Sequence, residues 1–248
     1  MRWYEISTDP NSWEAREWRA AIVNEAWRPA VKDRNAFFAD RCRGLRVLDI
    51  GCVDHIVGGC VTADLHRALA RSAAVCVGVD ANEDGVRRLC GEGYRIEMVD
   101  ITDPCFAVAA LSEFDVVVAG EVIEHLENME AFIDNMQKMI APGGAILLSS
   151  PNPYQLSNLL GFLKHRHSPN VDHVNYVFPS GMAELADRHG LQLREWRGVE
   201  CFVSPSSFIQ WMLQKLALVK YPHSIIHCSN LIYELSRTSG PMVSSNVS

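Results

Sequence analysis

The feature that most restricts the fold is a regular alternation, between residues 45 and 152, of short apolar runs with segments of helical pattern. The runs "LRVLDIG", "AVCVGVD", "FDVVVAGE" and "AILLSSPN" are almost continuously apolar. Strands that are apolar on both faces belong to a parallel sheet covered by helices on both sides. The sequence therefore predicts a doubly wound α/β fold with a mainly parallel sheet.

Apolar periodicity and turn residues give the bounds of the predicted elements. Strands are predicted at 45–51, 74–80, 94–100, 114–121, 145–152, 191–202 and 231–237, and helices at 61–73, 82–93, 128–144, 181–190 and 206–220. We expect a single domain with four parts: an N-terminal helical extension (1–41), a central core (45–152), a lid insertion (153–180), and C-terminal helices and last strands (181–248).

Charge and cysteine content narrow the function classes. The net charge of −7 argues against general nucleic-acid binding, which needs a basic face. The eight cysteines form no CxxC pair, which indicates reduced thiols in a cytosolic protein. No apolar run reaches the roughly 18 residues needed to span a bilayer. We expect a cytoplasmic protein with no membrane span.

Acids stand at the ends of the predicted strands. Asp49, Asp80 and Asp100 close three of them, and Glu121 closes a fourth. The carboxyl ends of parallel strands share one edge of the sheet, where ligands of such folds bind. A carboxylate such as Asp80 can accept from both hydroxyls of a ribose. Asp100 suits an adenine amino group, with the Ile101 amide nearby. The residues thus indicate a nucleoside site.

These segments resemble the class I S-adenosylmethionine-dependent methyltransferases. The matching stretches are "VLDIGC", "VGVDAN", "MVDITD", "FDVVVAGEVIEHLENMEAFI" and "MIAPGGAILLSSPNP", in the family's order. The resemblance implies a seven-stranded Rossmann-like sheet, S-adenosylmethionine as cofactor and S-adenosylhomocysteine as product. It places Asp49 near the methionine amino group of the cofactor. The implied cofactor-binding residues are Asp49, Gly51, Cys52, Asp80, Ala81, Asp100, Ile101, Gly120 and Glu121.

The stretch "GCVDHIVGG" departs from the family, which usually has glycine where this chain has Val53 and His55. Asp54 or His55 could reach the carboxylate of the cofactor. We favour the alternative, in which Asp54 caps the following helix and His55 is exposed. A dehydrogenase is the rival class for this pattern, but the GxGxxG loop that it needs for pyrophosphate is missing.

Two histidines are the candidate catalytic residues. His125 follows the fourth core strand in "EVIEHL", and His173 lies in "DHVNY" at the end of the lid. A histidine could remove the proton of a hydroxyl or amine acceptor. The alternative is that each histidine supports a loop, and we expect the same of Glu124. Asp172 and His173 suggest no metal site, because no further ligands can be named for them.

The "EVIEHL" form is typical of the branch that methylates small molecules. We expect methyl transfer to an oxygen or nitrogen of a small-molecule acceptor: a sugar, a glycan precursor or a specialised metabolite. Carbon methylation stays open. The second hypothesis is a catalytically inactive module that binds the cofactor or regulates a partner. The amphipathic segment 206–220 packs on the core by default, although a homodimer face stays open.

Overall fold

The computed structural model describes residues 2–57, 60–103, 113–163, 170–200 and 225–238. Nine strands occur in these ranges. They are β1 (Arg46–Ile50), β2 (His55–Val57), β3 (Cys60–Thr62), β4 (Val75–Asp80), β5 (Ile96–Met98), β6 (Phe114–Gly120), β7 (Ile140–Pro151), β8 (Leu191–Glu200) and β9 (Cys228–Arg237).

Seven of the strands form one sheet in the order β5-β4-β1-β6-β7-β9-β8. The first five in this order are mutually parallel. Strand β9 runs antiparallel to both of its neighbours, β7 and β8. Chain order reverses between β1 and β6, because β4 and β5 lie on one side of β1 and β6 and β7 on the other. This topology confirms the predicted doubly wound, mainly parallel, seven-stranded sheet.

Eight α-helices flank the sheet in the described ranges. They are α1 (Trp3–Ile6), α2 (Trp13–Ala26), α3 (Arg34–Arg41), α4 (Asp64–Ser72), α5 (Glu83–Gly91), α6 (Met129–Met139), α7 (Leu156–Leu163) and α8 (Pro179–Arg188). Side chains of the preceding residue cap four of them, since Ser12, Asp33, Asn82 and Asn128 each accept a main-chain N–H of the first turn. No helix in the described part of the chain is long and apolar enough to cross a membrane.

Both faces of the central strands are buried. On one face Leu48 and Val117 belong to the same apolar cluster as Phe132 of α6. On the other face Val47 packs in a second cluster with Phe38 of α3. This double coverage explains why the central strands are continuously apolar rather than alternating.

Several predicted elements differ in extent. The helix predicted at 61–73 begins only at Asp64, because residues 60–62 form β3, which pairs with β2 in a hairpin. The helix predicted at 128–144 ends at Met139, and the chain then enters β7. Ile140 is already extended, with φ −81° and ψ 136°, and Gly143, inside β7, has φ +81°. The strand predicted at 94–100 is confined to Ile96–Met98.

The N-terminal extension is helical, as predicted, but the residues between α2 and α3 add to the sheet edge. Trp27 and Val31 form bridges with Trp196 and Val199 of β8. The amide of Arg28 donates to the Trp196 carbonyl at 2.9 Å. The predicted helix at 206–220 and the lid histidines His165 and His167 lie outside the described residues.

Candidate functional site

The carboxyl ends of β1, β4, β5 and β6 meet at one edge of the sheet. Ile50 pairs with Val79 and with Ala119, and Asp80 pairs with Met98. The residues that follow these positions therefore lie side by side along the edge, at the point where chain order reverses. The structure brings together there most of the residues expected to bind the cofactor, namely Gly51, Cys52, Asp80, Ala81, Asp100, Ile101, Gly120 and Glu121.

Asp80 organises the loop that follows β1. Its Oδ2 atom accepts the Val53 amide at 2.9 Å, and Oδ1 accepts the Asn82 amide at 2.8 Å. Burial raises the pKa of this carboxyl, and the amides of Asn82, Val53 and Ala81 oppose the rise. Because each carboxylate oxygen has two lone pairs, these bonds leave acceptor capacity for further donors.

Gly51 and Cys52 continue the turn over β4. Gly51 has φ +68°, and a Cβ atom on it would lie 2.5 Å from Cγ2 of Val122. Any larger residue would therefore be strained and would clash. The amides of Gly51 and Cys52 both donate to the Val79 carbonyl, at 2.9 and 3.3 Å. The Cys52 thiol is buried, which raises its pKa.

Asp100 and Ile101 form the part of the edge beyond β5. Asp100 is exposed, and its Oδ1 accepts from the amide and the hydroxyl of Thr102 at 2.8 and 2.7 Å. The Ile101 carbonyl accepts from Nδ2 of Asn135 at 2.7 Å. Asn135 is buried on α6 and also binds the Asp103 carbonyl. Our sequence analysis did not identify Asn135, although a polar residue on the apolar face of a helix was the available signal.

Asp49 points into the interior and not along the edge. Its Oδ2 lies 3.0 Å from Nδ1 of His66, and both side chains are completely buried. Burial raises the pKa of Asp49, while the hydrogen bond to His66 opposes the rise. His66 is thus a buried residue of the interior, paired with Asp49. The predicted closeness of Asp49 to the methionine amino group of a cofactor stays a prediction, and the structure gives its carboxylate a different partner.

Within the departure "GCVDHIVGG", residues 55–57 form β2, which pairs antiparallel with β3. Oδ2 of Asp54 accepts the amide of Asp64, the first residue of α4, at 2.8 Å. The cap that we favoured for Asp54 is therefore confirmed. The His55 side chain lies outside what the structure describes.

Glu121 follows β6 in a strained backbone conformation, with φ +62°. Three groups surround its Oε1 atom: Nδ2 of Asn230 at 2.7 Å, Oγ of Ser149 at 3.2 Å and the Arg34 guanidinium at 3.3 Å. Left-handed conformations of non-glycine residues persist only where the surroundings fix them, and they are frequent at functional sites. Arg34 and Asn230 belong to this network and were not identified from the sequence.

One turn further on, the structure joins the two candidate catalytic histidines. The His125 and His173 rings stand edge to face, with centroids 4.8 Å apart. Nδ1 of His125 lies 3.0 Å from Oδ2 of Asp172. The Glu124 carbonyl accepts the amides of Val174 and Asn175, at 2.8 and 3.1 Å. Main-chain hydrogen bonds therefore hold the "DHVNY" segment against "EHL".

Glu124 lies beneath these rings. It is 1% exposed, and neither carboxylate oxygen has a hydrogen-bond partner among the described residues. Burial, reinforced by the charge of Glu121, raises the pKa of Glu124 to about 8. Burial and the neighbouring His125 lower the pKa of His173. From the sequence we expected Glu124 to support the turn. The signal that could have identified it as a residue of the site is its position next to His125 in the chain.

Comparison with known proteins gives one family. Residues 15–195 match the model of a family described as "Methyltransferase domain". A protein of Sinorhizobium medicae, named ubiquinone biosynthesis O-methyltransferase, is 32% identical over 197 residues, which cover 72% of this chain and 71% of that protein. The protein of the same name from Leptothrix cholodnii is 28% identical over 168 residues, with 63% and 68% covered.

Among solved structures, a SAM-dependent methyltransferase from Archaeoglobus fulgidus superposes with a TM-score of 0.56. It is 17% identical, and the superposition covers 88% of this chain and 93% of that one. At this identity the likeness concerns the fold, which agrees with the strand order described above.

Proposed function

The chain belongs to the methyltransferase-domain family, and hence to the class I S-adenosylmethionine-dependent methyltransferases that its sequence resembles, and we propose that it methylates an oxygen atom of a small molecule. The observation that carries the proposal is the position of the Glu124, His125 and His173 cluster. Glu124 and His125 directly follow Gly120 and Glu121 at the end of β6, on the edge that carries Asp80, and His173 packs against His125.

The residues of the edge fit the cofactor. Asp80 would accept from the ribose hydroxyls, and Asp100 with the Ile101 amide would meet the adenine. Gly51, which has no room for a side chain, lets main chain approach the ligand. When bound, S-adenosylmethionine supplies a methyl group on a positively charged sulfur. These assignments follow the family resemblance and the alignment of the strand ends.

The chain's own contribution to the chemistry is to orient the acceptor and remove its proton. A hydroxyl acceptor loses its proton as the new carbon–oxygen bond forms and the carbon–sulfur bond breaks. The cluster of Glu124, His125 and His173 is the part of the edge suited to take up that proton. Burial and His125 lower the pKa of His173, which favours the neutral imidazole that proton uptake requires.

Oxygen is favoured over nitrogen because the two relatives described above are both named O-methyltransferases. An intermediate of ubiquinone biosynthesis is accordingly the first acceptor to test. Sugars and glycan precursors, which the sequence analysis included, gain no support from these names.

The test uses purified protein, S-adenosylmethionine labelled in its methyl group, and pairs of acceptors that differ only in a hydroxyl or an amine. We expect label on the hydroxyl member of a pair. Calorimetry with S-adenosylhomocysteine separates the alternatives. Binding without transfer to any acceptor would favour the inactive module, and absence of both binding and transfer would refute the proposed function.

A further inference from the structure

We propose that His66 is a positioning residue for the cofactor. By donating a hydrogen bond to Asp49 it keeps this carboxylate negatively charged beneath the Gly51 turn, and that charge favours the positively charged amino group in the methionine part of the cofactor. The inference deepens the proposed function and rests on it, because it concerns the same edge of the sheet.

The first argument is the burial of the pair. Three contacts between a histidine and a carboxylate occur in the described residues. Two of them involve Asp172 and Asp134, whose side chains are 61% and 47% exposed, whereas solvent reaches neither Asp49 nor His66. A buried ion pair often adds no stability over apolar residues of similar volume, so stability alone does not explain this pair.

The second argument is the hydrogen bonding of the pair. Nδ1 of His66 lies 3.0 Å from Oδ2 of Asp49, while Nε2 of His66 and Oδ1 of Asp49 are buried and have no hydrogen-bond partner within the described ranges. A doubly protonated imidazole would bury its Nε2–H donor unpaired. The state that fits is therefore a neutral imidazole that donates its Nδ1 proton to an ionised Asp49. The second oxygen of that carboxylate stays available as an acceptor.

The third argument is the balance of forces on Asp49. Burial raises the pKa of this carboxyl, the hydrogen bond from His66 lowers it, and the negative charges of Asp54 and Asp80 raise it again. His66 thus favours the ionised form against burial and two like charges. Three thiols also adjoin the carboxylate, and they stay neutral because burial and the charge of Asp49 raise the pKa of each: Cys42, Cys52 and Cys76.

The position of the imidazole joins the pair to the edge. A Cβ atom on Gly78 would lie 2.7 Å from Sγ of Cys52 and 3.0 Å from Cε1 of His66, so the thiol and the ring border the same small space. Gly78 pairs in register with Asp49, and Cys52 belongs to the turn that is expected to approach the cofactor. The Tyr94 ring stands edge to face with the imidazole, with centroids 5.3 Å apart. These contacts fix the imidazole next to the turn.

Electrostatics link the pair with the cofactor. Charges in a protein interior are screened far less than charges in water, so a buried carboxylate acts over several ångströms. Asp49 stands two residues before Gly51, where main chain can approach a ligand. The charge of Asp49 would therefore stabilise an ammonium group at this turn, directly or through one water molecule. Without His66 the carboxyl would bind a proton more readily and lose that charge.

The test compares three ligands that share the adenosine and the sulfur atom. S-adenosylhomocysteine carries an ammonium and a carboxylate group, its decarboxylated form keeps only the ammonium, and 5′-methylthioadenosine carries neither. Calorimetry should find that H66L binds the two ligands with an ammonium group about 10-fold more weakly than the wild type, as expected for one partly screened charge. Its affinity for 5′-methylthioadenosine should be unchanged, whereas a general loss of structure would weaken all three ligands alike.

A second comparison separates hydrogen bonding from shape. The amide of an asparagine takes the place of Nδ1 in an imidazole, and the amide of a glutamine takes the place of Nε2. H66N should therefore keep the wild-type affinities, whereas H66Q should lose affinity for the two ammonium ligands as H66L does. If circular dichroism shows that H66L does not fold, H66Q takes its place.

A double-variant cycle tests whether His66 acts through Asp49. D49N removes the charge and should by itself weaken the two ammonium ligands about 10-fold. D49N/H66L should bind as D49N does, because no charge is left for His66 to maintain. The matched control is H189L, which removes the histidine of another pair, with Nδ1 of His189 2.6 Å from Oδ1 of Asp134. It should leave all three affinities unchanged.

Three results would overturn the proposal: wild-type affinity of H66L and H66Q for the ammonium ligands, an equal loss for all three ligands, or additive losses in the double variant. If the wild type binds S-adenosylhomocysteine, each of these refutes the role of His66 and leaves the proposed function intact. If the wild type binds neither S-adenosylhomocysteine nor 5′-methylthioadenosine, the proposed function and the role of His66 are both refuted.

Discussion

Nδ1 of His66 lies 3.0 Å from Oδ2 of Asp49, and solvent reaches neither side chain. The pair links α4 to β1 directly beneath the loop that carries Gly51. Removing one member of a buried pair leaves the other polar group uncompensated, whereas replacing both can be nearly neutral. The stability of the interior below this edge of the sheet therefore depends on both residues together.

This dependence gives the first prediction. H66L should lower the free energy of unfolding by about 3–5 kcal/mol, because Asp49 stays buried without its partner. The double variant D49L/H66L should recover at least half of that loss. Urea unfolding measures both values, and a double variant as unstable as the sum of the two single variants would contradict the coupling.

Gly78 gives a second prediction, because it pairs in register with Asp49. A Cβ atom on Gly78 would lie 2.6 Å from Cδ1 of Ile96, 2.7 Å from Sγ of Cys52 and 3.0 Å from Cε1 of His66. G78A should therefore cost about 1–3 kcal/mol of stability through overpacking.

The control is G181A on α8, where a Cβ atom meets nothing within 4 Å. That variant should be neutral or more stable by up to about 1 kcal/mol, since alanine favours helix. Thermal and urea unfolding compare the two, and equal stabilities would refute the steric argument.

Asp80 gives the prediction that tests the cofactor edge. D80N should weaken binding of S-adenosylhomocysteine about 10- to 100-fold, because hydrogen bonds to a charged group are worth about 1.5–3 kcal/mol. D84N is the matched control, since Asp84 is an exposed acid on the following helix and pairs with Arg87. Calorimetry should find its affinity unchanged. If D80N binds as tightly as the wild type, Asp80 does not hold the ribose.

The positive φ of Glu121 gives a prediction about backbone strain. Both E121A and E121G lose the contacts with Arg34, Ser149 and Asn230, but only glycine adopts φ +62° without strain. E121G should therefore be more stable than E121A by about 1–2 kcal/mol, the usual cost of a left-handed conformation. Denaturant midpoints measure this difference directly. If E121A is the more stable variant, the strain is absent in solution.

Glu184 on α8 gives a prediction of pH dependence. Burial opposes ionisation of this carboxyl, but hydrogen bonds from Arg188 and Trp3 and the charge of Arg19 outweigh it and lower its pKa. A carboxyl whose pKa is lower in the folded state stabilises the protein above its unfolded pKa, about 4.3. That stabilisation is lost as the pH falls through the folded pKa.

Between pH 6 and pH 3, E184Q should thus lose less unfolding free energy than the wild type. E130Q, at an exposed position on α6, serves as the control and should follow the wild type.

Much of the fold could be predicted because continuous apolar runs such as 114–121 have few alternatives to a buried parallel strand. The pairing of β2 with β3 could not, because each strand has only three residues and no alternating pattern marks such short strands. The sheet pairing of Trp27 and Val31 was likewise not predictable. It depends on residues of β8 that are almost 170 positions away in sequence.

The candidate site could be predicted where its residues stand at the carboxyl ends of strands, as Asp80 and Asp100 do. The contact between His125 and His173 was not, because it depends on how the chain after β7 returns to the turn after β6. Each histidine taken alone looked like loop support. Only three-dimensional proximity to the buried Glu124 gives the pair a shared chemical role.

Strand β9 lies between β7 and β8 and bonds to both. During translation β8 leaves the ribosome first, yet it has no direct pairing with the rest of the sheet in the described residues until β9 arrives. The place between β7 and β8 in the nascent domain therefore stays empty until the residues that form β9 have emerged. A released chain that ended before Cys228 would present two unpaired strand edges, which chaperones and proteases recognise as an unfinished chain.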